Sequence, residues 1–265
     1  MKWQLVFDPL FHVPFLNGLL LAISMPLLGA YVRLRDEWLA SLGMAQVTAA
    51  GGVAGLLLGI HPIAGALGAA GLAATAKGAV RRSGNDVFVL LLLFGWSVAL
   101  LGAANSAQGE EVSHALLDGQ LYFTSGTHLA GAAALLAAVA LLLPRISRRL
   151  LLERFFPDHL AANGENPFRI HLAFDLMVAF SVALATQSIG VMASFALVFV
   201  PPWAAFAGAN GWRRALARTA VVAAAAYVVA FAAAIGLNQP FGPVLVAALL
   251  LTGLVRLLPA APTAG

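Results

Sequence analysis

Stretches of roughly 20 apolar residues recur along this chain, and its cations cluster in every second gap between them. A helix needs about 20 apolar residues to cross the ~30 Å hydrocarbon core of a bilayer. Candidate spans lie near residues 14–33, 39–60, 62–79, 86–105, 128–144, 170–189, 190–207, 218–236 and 240–258. That makes about nine transmembrane helices, in a range of roughly eight to ten. Charged residues make up 10% of the 265, where a soluble domain carries about 25%. The expected fold class is therefore all-α, a polytopic membrane helical bundle forming a single domain over 1–265. Residues 14–33 lack a strongly basic start and an A-x-A cleavage site, so they are expected to be retained rather than removed as a signal. The absence of cysteine excludes a disulfide-stapled scaffold, a thiolate nucleophile and Cys-ligated metal.

The charges give the chain a direction. With nine spans, Arg33, Arg35, Lys77, Arg81, Arg82, the run from Arg145 to Arg154, Arg169, Arg213, Arg214, Arg218 and Arg256 all share one side. Of 15 Lys and Arg, only Lys2 falls elsewhere. The positive-inside rule makes that side cytoplasmic, with the N-terminus outside and the C-terminus inside. The net charge of +4 thus reports orientation, not a nucleic-acid partner. Residues 106–127 form the longest outer connection, in which Val112, Ala115, Leu116 and Gly119 have the spacing of an amphipathic surface helix. Residues 145–169 form the longest inner connection, whose arginines suit a solvated or lipid-facing anchor.

Small residues mark where helices approach. Gly51, Gly55 and Gly59 repeat every four residues, and Gly65, Gly68 and Gly71 follow in the next span. They suit close packing within the chain, a subunit interface or a pore-lining face. Pro201-Pro202 should end or kink the seventh span, away from lipid.

Polar groups at membrane depth are functional candidates. Gln46 and Thr48 lie in the second span, Asn17 and Ser24 in the first, and Gln187 and Ser188 at the outer end of the sixth. His171 and Asp175 stand one turn apart near the inner end of the sixth span. They suit an interfacial pair, joined by Arg169, or two metal ligands. His12, His61, His114 and His128 lie at or near the outer side. No Walker loop, G-x-S-x-G elbow or H-E-x-x-H motif occurs. The chain is thus not expected to be an enzyme, and any ATP hydrolysis would fall to a partner. No covalently bound cofactor is expected.

The stretch Phe156-Pro157-Asp158-His159-Leu160-Ala161-Ala162-Asn163-Gly164 resembles a segment of the zinc/manganese/iron class of ABC transporter permeases. Pro14-Phe15 and Leu28-Gly29-Ala30-Tyr31-Val32-Arg33-Leu34-Arg35 are similar to that family's opening motifs. So are Asp86 and Gly102, Leu117-Asp118-Gly119-Gln120-Leu121, Ile189-Gly190-Val191, Phe199-Val200-Pro201-Pro202-Trp203-Ala204 and Gln239-Pro240-Phe241-Gly242-Pro243 further on. The ordered set covers nearly the whole chain. The resemblance implies a type II ABC importer permease working as two copies in a bacterial cytoplasmic membrane. It also implies a cytoplasmic ATPase dimer and an extracytoplasmic solute-binding protein as partners. In that family a short cytoplasmic helix docks on the ATPase, and the matching residues are Phe156, Asp158, His159, Leu160, Ala161 and Gly164.

One departure bears on the cargo. Where the family places an Asp and, four residues later, a His, this chain has Leu42 and Gln46. A bare divalent ion needs N or O ligands to replace its water. Gln46, Thr48, His171, Asp175 and Gln187 are the path candidates, with His171 and Asp175 the fallback ligands for a metal. Gln and Thr suit a cargo that carries its own ligands, so a metal complex, or a metal bound mainly elsewhere, is expected over a bare zinc ion. An ion-gradient-driven transporter is the alternative, but no inverted repeat is visible and Asp175 lies off-centre.

Overall fold

The computed structural model describes residues 8–79, 85–105, 119–156, 159–164, 166–207 and 209–257. Among them nine long helices and one short one form the molecule. They are α1 (His12–Leu34), α2 (Ala40–Leu57), α3 (Pro62–Ala79), α4 (Asn85–Ala104) and α5 (Gly126–Phe155), then the short α6 (His159–Ala162). After these come α7 (Pro167–Ile189), α8 (Val191–Ala205), α9 (Trp212–Leu237) and α10 (Phe241–Leu257). Six stretches are long and apolar enough to cross a membrane: Pro9–Leu34, α2, α4, α5, α7 and α9. α8 and α10 are apolar but shorter, and α3 is built largely of Gly and Ala.

Local chemistry sets the boundaries. Pro167 opens α7, where its missing N–H costs nothing. Gly190, at φ 87°, breaks α7 from α8 in a conformation that suits glycine. Asn238 ends α9 in the left-handed region at φ 52°. Ser125 caps α5, its backbone N–H donating to His128 Nδ1 at 3.2 Å.

α1 lies at the centre, packed by α5, α7, α8 and α9, with Leu21, Ala22 and Met25 fully buried. α2 is enclosed by α3, α4, α7 and α8. The α2–α3 crossing explains part of the glycine pattern. A Cβ on Gly65 would strike the Gly51 carbonyl and come within 2.9 Å of Gly55 Cα. These glycines serve helix packing within the chain. α4 and α5 turn large apolar side chains outward, among them Leu90, Phe94, Leu101 and Leu141.

Two helices run past the expected spans. α5 continues beyond residue 144, through Pro144 to Phe155, and carries the arginines from Arg145 to Arg154 on a helix. Leu, Arg and Glu dominate that extension and favour a helix, and Pro144 forfeits only the one bond that an N–H there would make to Ala140 O. Likewise α9 starts at Trp212, so Arg213, Arg214 and Arg218 occupy its first turns. Pro201 and Pro202 are buried one turn before α8 ends, so the interruption does sit inside protein. Residues 106–118, the body of the expected amphipathic helix, lie outside the described residues, as do Lys2, Arg81, Arg82, Pro157 and Asp158.

Candidate functional site

Four charged side chains close a ring at the arginine-bearing end of the bundle. Arg35 caps the C-terminus of α1. Asp36 follows at φ 61°, a left-handed turn that Asn85 clamps. Asn85 Nδ2 donates to Asp36 O at 3.1 Å, and Asn85 Oδ1 accepts from Leu39 N–H at 3.2 Å. The turn swings Glu37 back beneath α1. Lys77, in the last turn of α3, donates to Glu37 Oε2 at 2.8 Å and to Asp175 Oδ1 at 2.9 Å. Arg35 donates to Asp175 Oδ1 at 2.8 Å and to Glu37 Oε1 at 3.2 Å. Cation and anion alternate around the circuit, and its net charge is zero.

Burial makes the ring costly to break. Lys77 is 3% exposed, and Glu37 and Asp175 are 7% each. Removing one partner of such a buried pair costs about 3–5 kcal/mol, because the other charge is stranded. Aromatic faces complete the shell, with Arg35 Cζ 5.3 Å from the Phe174 ring centre and Lys77 Nζ 5.2 Å from that of Phe88. The ring ties α1, α3, α7 and the α1–α2 turn together.

Beside it opens a cavity of about 350 Å³, lined by the ring and by Glu153, Arg154, Phe168 and His171. His171 Nε2 lies 2.8 Å from Glu153 Oε1, joining α7 to the C-terminal end of α5. His171 Nδ1 and Glu153 Oε2 are buried without a hydrogen-bond partner. His171 and Asp175 thus share one cavity but not one partner. Arg169 makes no ion pair with either among the described residues.

The other candidates stand apart. Gln46 is buried in α2, its backbone pressed by Gly95 of α4. Thr48 is fully buried and donates to Ala45 O at 2.8 Å in its own helix. Gln187 Nε2 is buried without a partner and abuts Gly52. None of these three lines the cavity beside the ring. Leu42 packs on the hydrophobic core. Among the described residues, no three His, Asp or Glu side chains converge as metal ligands.

At the end of α5, Phe155 and Phe156 are 69% and 62% exposed. α6 follows, with His159 N–H donating to Phe156 O at 3.0 Å and Asn163 Nδ2 donating to His159 O at 2.7 Å. Gly164 ends the turn at φ 70°. Leu160 and Ala161 lie on α6, and Asp158 falls outside the described residues.

Arg35, Glu37, Lys77 and Glu153 were not visible as site residues in the sequence. A signal was available: Asp175 is an acid inside an apolar span and requires a cation, and Lys77 is one of two lysines in the chain.

The model of the ABC 3 transport family matches residues 8–259. The fold is similar to PsaBC from Streptococcus pneumoniae in complex with Fab, with a TM-score of 0.83 at 17% identity over 98% of this chain and 95% of that one. It is also similar to an inward-facing conformation of a transporter assigned to the metal-chelate ABC type. There the TM-score is 0.68 at 16% identity, over 96% of this chain and 85% of that one. No curated protein sequence matches the chain.

Proposed function

The chain belongs to the ABC 3 transport family, and from that premise we propose that it is the permease subunit of a binding-protein-dependent importer for a metal ion or metal complex. The observation that carries this reading is the whole-chain match to a transport family, spanning residues 8–259 of an all-helical chain. Two copies form the path, an ATPase dimer docks on the basic inner face, and a solute-binding protein delivers cargo from outside. The chain itself makes and breaks no bonds. The ion-gradient alternative gains no support from the family match.

The inner end supplies a route for coupling. An ATPase seated on α6 and the exposed Phe155–Phe156 pair would push on α5. Glu153, three residues from Phe156, passes that push through His171 to α7. Asp175, one turn further along α7, belongs to the ring. The ring holds the inner ends of α1, α3 and α7 as one block while α5 moves against it.

A metal complex is favoured as cargo. Leu42 and Gln46 replace an acid and an imidazole of the resembled family. Gln46 and Thr48 are uncharged, and the ring engages Asp175 with two cations. The metal-chelate assignment of one structural neighbour agrees with this. Co-expression with the candidate ATPase and binding protein tests the assembly. The three should co-purify, and loaded binding protein should stimulate ATP hydrolysis. Failure to capture an ATPase would refute the reading.

A further inference from the structure

α5 and α9 both pack against α1 but not extensively against each other. A slot of about 700 Å³ is left between them, within the range of small-ligand cavities, roughly 300–1,000 Å³. We propose that this slot binds an anionic glycerophospholipid of the inner leaflet, one acyl chain along its walls and the phosphate at its mouth.

The walls are apolar, with Leu136, Val139 and Leu143 from α5, Leu216 from α9 and Leu27 from α1. The polar groups of the floor satisfy one another. Trp212 Nε1–H donates to Tyr31 Oη at 3.1 Å, and Tyr31 Oη shares a hydrogen bond with Ser147 Oγ at 2.6 Å. An acyl chain laid there strands none of them.

At the inner mouth stand Arg148 and Arg213, both exposed and neither in an ion pair among the described residues. The distance fits one leaflet. Leu136 to Arg148 spans about 18 Å of helix, against about 15 Å for half the hydrocarbon core. The arginines thus reach headgroup level while Leu136, Val139 and Leu143 lie among the tails, and Leu151, Leu152 and Phe155 carry the lining on past Arg148. Basic pockets between helices on the cytoplasmic side suit anionic headgroups.

A second copy is a poor occupant. A two-fold contact through this face would oppose its arginines to themselves, and Arg145, Arg149, Arg214 and Arg218 add to the charge nearby. The inference requires only that the chain is embedded in a bilayer with its arginine-bearing end inside, so it stands or falls apart from the choice of cargo.

The test is native mass spectrometry of the purified full-length chain with phosphatidylglycerol or phosphatidylcholine added. Phosphatidylglycerol should be retained preferentially. Arg148→Ala and Arg213→Ala should each weaken its binding about fivefold. Ala140→Trp, at an exposed position in the slot wall, should abolish retention while the helical circular dichroism is unchanged. Free inorganic phosphate should not displace the lipid. Equal retention of the two lipids, undiminished phosphatidylglycerol on the double arginine variant, or an Ala140→Cys cross-link between copies would overturn the proposal.

Discussion

Lys77 and Asp175, 98 residues apart in sequence, meet with Nζ 2.9 Å from Oδ1 and join α3 to α7 at the arginine-bearing end of the bundle. Through Glu37 and Arg35 the contact closes on itself, so each charge in the ring answers for the others. Asp175→Asn should therefore destabilise the protein by about 3–5 kcal/mol, read as a loss of thermal stability in detergent. Replacing Lys77 and Asp175 together by apolar residues of similar volume should cost less than either single change. A larger loss in the pair than in the singles would contradict the ring as described.

The α2–α3 crossing makes a second prediction. Gly65 faces the backbone of Gly51 and Gly55, which cannot yield as a side chain would. Gly65→Leu should cost about 1–3 kcal/mol and reduce the yield of folded protein. Gly68, with open space at its Cβ position, should accept Ala with little change. Equal effects at the two positions would remove the packing role.

The legible part of the fold was the part written in local pattern. The third span is expected at 62–79, and a helix, α3, occupies Pro62–Ala79. The fifth span is expected to end near 144, and the helix that carries it runs on through Pro144 to Phe155. The ring was illegible for a different reason. Arg35 and Asp175 are 140 residues apart, and spacing within one helix says nothing about such a meeting. In the sequence Lys77 marks orientation and Arg35 marks orientation and closes an opening motif, while the spacing of His171 points to Asp175 and its contact is Glu153.

Coupling should separate into docking and transmission. Gly164→Val forces a β-branched residue to φ 70°, a strain of about 1–2 kcal/mol, and should weaken ATPase co-purification with membrane insertion intact. Ala161→Trp should do the same. Glu153→Gln should leave docking intact and lower uptake, because it alters the contact to His171 instead of the docking surface. ATPase capture and uptake measured side by side distinguish the two classes.

Orientation is open to direct labelling, since the chain has no native cysteine. Phe123, 82% exposed, lies at the expected outer end, and Asn163 is exposed beyond α6 at the expected inner end. In intact cells an impermeant thiol reagent should label Phe123→Cys and spare Asn163→Cys. Equal labelling would contradict the assigned topology.

The most direct test of the central claim is ATP-driven uptake by the permease reconstituted with its ATPase and binding protein in liposomes. Free zinc and free manganese would be offered against the same metals held in small chelates. The chelate should accumulate faster, and the double change Leu42→Asp with Gln46→His should shift the preference toward the free ion. Rapid uptake of the free ion by the unaltered protein, abolished by His171→Ala or Asp175→Ala in folded protein, would contradict this account and make those two residues the metal site.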